Sequence, residues 1–118
     1  MDYSKMSDGE ISVRIAYFLK PKYTATINPY DDSGAQLSWN WLNTVATTGY
    51  FPLRRAEELF PAIKKYRIGI TPSGKTVWKA EHESGLSSTH RNPLRAAAIV
   101  FLSLKESQNA KISSERGS

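Results

Sequence analysis

The sequence predicts an α+β domain. An antiparallel sheet of about four strands carries three helices in the order α-β-β-α-β-β-α, with the C-terminal helix central to the core. Three observations carry this expectation. Apolar residues recur at helical spacing behind recognisable start signals. Elsewhere they alternate on either side of turn-forming residues. Finally, residues 91–104, RNPLRAAAIVFLSL, are apolar almost all round, which is the mark of a buried helix.

The first helix follows Ser7-Asp8-Gly9-Glu10, which fits a capping box with Ser7 as N-cap and Glu10 at N3. Ile11, Ile15, Phe18 and Leu19 then share one helical face, and Lys20-Pro21 ends the run. Residues 23–28, YTATIN, alternate as a strand does. Pro29 to Gly34 is dense in turn formers. Leu37, Trp39 and Trp41 then alternate with Ser38 and Asn40, which gives a second strand and a hairpin. Residues 43–50 are Thr-rich without a clear period and are read as loop.

Pro52 suits the first position of a second helix. Ala56, Leu59, Phe60 and Ile63 supply its apolar stripe, and Pro61 predicts a kink or restart. Ile68 and Ile70, the turn Pro72-Ser73-Gly74-Lys75, and Trp78 with Ala80 read as a second hairpin. Residues 81–91 are a polar loop. Asn92 is a favoured N-cap and Pro93 a favoured first residue for the third helix. The expected organisation is a single domain over residues 1–106 and a disordered, Ser-rich tail over 107–118.

With 118 residues the chain is long enough for one self-supporting core. It has no Cys, so disulfides, thiolate metal sites and Cys nucleophiles are excluded. The polar N-terminus lacks the apolar segment of a secretory signal, and no apolar run reaches the roughly 18–20 residues of a membrane span. The expectation is a cytoplasmic protein that does not enter a membrane. A net charge of +5 favours an acidic partner such as nucleic acid only weakly, and a solvated basic surface accounts for it better.

Both ends of the chain carry a resemblance. MDYSKMSDGEI, and NPLRAAAIVFLSLKE near the other end, resemble the NinX-like family of small proteins from lambdoid phages and prophages. EELFPAIKKYRIGI is similar to that family's helix with an internal Trp-Pro-Ile followed by a strand, with Phe60 in place of the Trp. WKAE at 78–81 fits its second hairpin, while residues 20–50 depart from the family. The resemblance implies a small accessory protein made in the cytoplasm of an infected bacterial host. The family has no assigned biochemical activity, so the resemblance carries over no catalytic residues.

The residues themselves offer little catalytic chemistry. His82 and His90 lie near Ser84, Ser87, Ser88 and Glu83, but no nucleophile elbow frames them. Asp31-Asp32 suits a turn better than a metal site, and no Gly-rich phosphate loop follows a strand. The expected protein is not an enzyme and takes no cofactor. Two binding readings remain. A protein-interaction surface could form from Tyr30, Trp41, Tyr50, Phe51, Arg54 and Arg55, aromatic and Arg anchors of the kind that dominate interfaces. Its partner would be a host or phage protein, such as a defence or regulatory factor, bound by a monomer or homodimer. Alternatively, Arg54, Arg55, Lys64, Lys65, Arg67, Lys75, Lys79 and Arg91, with Arg95 nearby, could follow a nucleic-acid backbone.

Overall fold

The computed structural model describes residues 2–117, with side chains described as far as Gln108. The fold is α+β. A short 3-10 helix, Tyr3–Lys5, precedes α1 (Asp8–Leu19). Strands β1 (Thr24–Ile27), β2 (Ala35–Trp41) and β3 (Thr44–Tyr50) follow, then α2 (Ala56–Tyr66). Strands β4 (Gly69–Pro72), β5 (Trp78–Glu81) and β6 (Ser87–His90) lead to α3, Pro93–Gly117.

The expected single sheet of about four strands is corrected to two three-stranded antiparallel sheets, ordered β1-β2-β3 and β4-β5-β6. Each expected hairpin gains a third strand. The segment read as a Thr-rich loop is β3, paired with β2 from Ala35↔Tyr50 to Trp41↔Thr44. Part of the expected polar loop at 81–91 is β6, paired with β5 from Glu81↔Ser87 to Trp78↔His90. Neither strand carries an apolar period, so pairing rather than patterning makes them strands.

Helix starts follow their signals. Ser7 Oγ accepts the Glu10 N–H at 3.1 Å, and Asn92 Oδ1 accepts the Leu94 N–H at 2.9 Å. The second helix begins later than Pro52 implies. Phe51 to Arg55 form a turn in which the Phe51 carbonyl accepts from Arg54 and Arg55, so α2 opens at Ala56. It then runs through Pro61 without a restart. The backbone of α3 is described over Pro93–Gly117. Ser118 lies outside the described residues.

The first sheet packs on α1, and the second on α3; α1 and α2 both pack on α3. The helices are therefore the shared contact between the sheets. The core runs from Tyr3 to Leu104, and α3 supplies much of it. Ala96, Ala97, Ala98, Val100, Phe101, Leu102 and Leu104 are all buried. The apolar helix at 91–104 is thus a covered core element and not an open docking face. No helix among the described residues is long and apolar enough to cross a membrane. Where α1 meets the β1–β2 loop the approach is tight. A Cβ on Gly9 would lie 2.3 Å from the Asp32 carbonyl oxygen, so only glycine fits there.

One buried cation ties the N-terminal segment to α3. Arg95, 7% exposed, donates from Nη2 to the carbonyl oxygens of Met6 (2.7 Å), Ser4 (3.3 Å) and Tyr3 (3.4 Å). Its Nη1 meets Asp8 Oδ1 at the first residue of α1. Its expected place beside a nucleic-acid backbone is therefore corrected. Removing one partner of a buried ion pair costs about 3–5 kcal/mol, and about 2–4 kcal/mol is expected here because Asp8 stays partly in water.

Three turns further along α3, Glu106 accepts a 2.7 Å hydrogen bond from the Tyr3 hydroxyl. Burial, then this bond to the carboxylate, pushes the Tyr3 phenol up to about 12 from its ordinary 10. A group whose neutral form is favoured on folding contributes stability that is fully present below its unfolded pKa. That contribution is lost as pH rises through the folded value. The stability gap between wild type and Tyr3→Phe, read from urea midpoints, is therefore expected to shrink between pH 10 and 12. A gap that stays constant over that range would contradict the assignment.

Candidate functional site

The expected protein-interaction residues do not form one surface. Tyr50 is 2% exposed and belongs to the core, where its hydroxyl donates to the Glu58 carbonyl at 3.3 Å. That part of the expectation is corrected. Tyr50 closes β3 on the same face as Ala35 and Leu37, which α1 covers. Burial and the neighbouring Glu58 charge raise its phenol pKa well above the ordinary range.

Phe51, Arg54 and Arg55 are consumed by one another. Phe51 lies against Gly34, where a Cβ would sit 2.2 Å from its ring. The guanidinium groups of Arg54 and Arg55 stand over the same ring at 4.8 and 5.2 Å. Arg54 also pairs with Asp31 and donates to Ser33 Oγ at 3.1 Å, while Arg55 lies 3.7 Å from Glu58. This cluster pins the β1–β2 loop to the turn before α2. Asn28 supports it from inside, accepting the N–H groups of Tyr30 and Asp31. Tyr30 and Trp41 do remain open, but they sit at opposite ends of the first sheet. Six residues of β2 separate them, about 20 Å along a strand.

The basic residues are likewise divided. Arg54 and Arg55 precede α2 and Lys64, Lys65 and Arg67 end it, so the groups stand about 15 Å apart along the helix axis. Lys79 lies 3.6 Å from Glu81 on the same sheet face. Three of the eight expected cations are therefore already paired with carboxylates. Among the described residues, Lys64, Lys65, Arg67, Lys75 and Arg91 have no carboxylate partner.

His82 and His90 do not converge. They flank opposite ends of the β5–β6 ladder, about 10 Å apart or more. Each serves a local turn. His82 Nδ1 bonds Ser84 at 2.9–3.0 Å, and His90 Nδ1 accepts the Asn92 N–H at 2.9 Å. Burial, and then the nearby Arg95 charge, lower the His90 pKa below its ordinary 6.5.

A further open feature lies at the far end of β2. Ala35, Leu37, Trp39 and Trp41 share a face of β2, and their cover thins along the strand. Ala35 and Leu37 are buried, Trp39 is half-buried, and Trp41 is 59% exposed. Beyond Trp41, Leu42 and Asn43 make a two-residue hairpin turn with φ of 47° and 67°. Two positive φ values define a type I′ turn, which favours Asn and Gly. Asn43 suits it; Leu42 does not. A non-glycine residue held left-handed costs roughly 1–2 kcal/mol. Leu42 is also 81% exposed, and Val45 beyond it is 64% exposed. The strain therefore secures no internal contact for the leucine.

Beside this open end lies a cleft of about 370 Å³. Tyr23, Leu37, Trp39, Thr48 and Tyr50 line its sheet side, and Lys20, Glu57, Glu58 and Pro61 its helical side. Tyr23 and Trp39 meet edge to face at 5.4 Å. No protein-family model, curated protein or solved structure matches the chain.

Asp31 gives a test of the loop cluster. The Ser33 hydroxyl and N–H, and then Arg54, hold its carboxyl down at about 2, below the ordinary 3.8. A lowered carboxylate stabilises the fold above its unfolded pKa and loses that contribution as pH falls toward 2. In a carboxyl NMR titration, Ser33→Ala is expected to raise the Asp31 midpoint more than Arg54→Ala does. The reverse order would show that the ion pair, not the serine, organises the loop.

Proposed function

We propose that this chain is a small, non-catalytic accessory protein of phage or prophage type, akin to the NinX-like family. It acts in the cytoplasm of the infected host by binding a host or phage protein and modulating it. A defence or regulatory factor is the kind of target such a role implies. The observation that carries the reading is Leu42. A bulky apolar residue held at positive φ and left in water is disfavoured twice, by backbone strain and by exposure. Strain of this kind persists where a contact outside the fold uses it. Trp41 extends the apolar tip on one face of the hairpin, and Val45, opposite Asn40, is exposed on the other.

The second reading is nucleic-acid binding through Lys64, Lys65, Arg67, Lys75 and Arg91, the cations without carboxylate partners. It has less support, because three cations at the end of α2 are accounted for by the helix dipole.

One variant separates these readings. Leu42→Asn is expected to raise stability by about 0.5–1 kcal/mol, since Asn tolerates the left-handed conformation and leaves no apolar side chain in water. The same variant is expected to lose a protein that the wild type captures from nuclease-treated host lysate. Capture that vanishes with nuclease and falls steeply with salt would overturn the protein-binding reading in favour of the basic residues. A captured protein that Leu42→Asn retains in full would remove the hairpin tip from it.

A further inference from the structure

We propose that the cleft beside the open end of the first sheet receives the guanidinium group of an arginine presented by the partner. The inference depends on the protein-binding reading for the source of that group. The chemistry of the cleft stands on its own.

The walls decide the class of guest. By register, Tyr23, Leu37, Trp39, Thr48 and Tyr50 lie on one face of the sheet; Tyr23 and Trp39, in edge-to-face contact, offer aromatic surface there, while Tyr50 is buried. Aromatic faces attract cations, and arginine, being planar and weakly hydrated, stacks on them more readily than lysine. The opposite wall supplies charge. Glu57 and Glu58 against Lys20 leave the lining one unit negative. The two carboxylates are not equivalent. Glu58 already accepts the Phe51 N–H and lies 3.7 Å from Arg55. Glu57 is exposed and has no ion-pair partner among the described residues, so it is the carboxylate left for a ligand. Lys20, the exposed C-cap of α1, is the cation a guest must avoid.

Size agrees. About 370 Å³ is at the low end for ligand pockets and suits one side chain better than a cofactor. Position agrees as well. Trp39 forms part of the cleft, and Trp41 follows it on the same face of β2, so a partner resting on the hairpin tip has the cleft within reach. The apolar tip would anchor the contact, and the cleft would select a basic residue in it.

The test uses the whole chain and two small probes. N-acetylarginine amide is titrated into labelled protein and followed by the indole N–H resonances of Trp39, Trp41 and Trp78. N-acetylcitrulline amide, nearly the same shape without the charge, is the control. A saturable shift confined to Trp39 with the arginine probe and not with citrulline is expected. Glu57→Gln is expected to weaken that binding by about two- to fivefold, the range of a single exposed cation interaction. Glu57 is on the surface of α2, so this variant keeps the fold. Equal binding of citrulline, an unchanged affinity in Glu57→Gln, or shifts at Trp41 or Trp78 alone would each overturn the proposal. None of these results would bear on capture through Leu42, so the two readings fail separately.

Discussion

The buried guanidinium of Arg95 is the constraint on which the rest of the fold depends. It gathers the carbonyls of Tyr3, Ser4 and Met6 and the carboxylate of Asp8 at one point on α3. Those groups end the 3-10 helix and begin α1. Their carbonyls and the Asp8 charge form a negative concavity, and a planar donor with several N–H groups fills it better than a lysine would. Because α1 carries the first sheet and α3 carries the second, this contact helps set where the two sheets stand. Tyr3 reinforces it from the far side, bonding Glu106 three turns along the same helix.

That arrangement explains why one end of the first sheet is open. The helix α1 is 12 residues long, and it covers the inner face of β2 only over Ala35 and Leu37. Past that point the strand continues with Trp39 and Trp41, large side chains with little above them. In a sequence selected for stability alone, the β2–β3 turn would carry Asn-Gly. This chain carries Leu42-Asn43 and exposes the leucine. Apolar surface, an unfavourable backbone angle and an aromatic-walled cleft thus meet at one corner of the molecule. Several other candidates are bound up within the fold, as Tyr50 is in the core and Phe51 is between two guanidinium groups.

The parts of the fold legible in the sequence were those with a repeating physical signal. Ser7 and Asn92 announced helix starts because a capping side chain acts within three residues. The strands β1, β2, β4 and β5 were legible because their apolar residues alternate. The strand β3 was not, because its inner positions Thr44, Ala46 and Thr48 are small and match the Thr on its outer face. The strand β6, SSTH, has no apolar residue at all. Missing β3 hid the site as well. With residues 43–50 read as loop, Tyr50 had no assigned face and Leu42 was not a turn residue. Of the expected anchors, Tyr30 and Trp41 are the aromatic ones that stand in the open. Arg95 looked like a surface cation because its partners lie 87–92 residues away in the chain.

Native-state hydrogen exchange on Arg95→Met tests the structural account most directly. If Arg95 holds α1 and the first sheet to α3, amides of α1 and β1–β3 lose protection together, while α3 and β4–β6 keep theirs. A loss confined to the first eight residues, or spread evenly over both sheets, would show that the two halves are joined some other way.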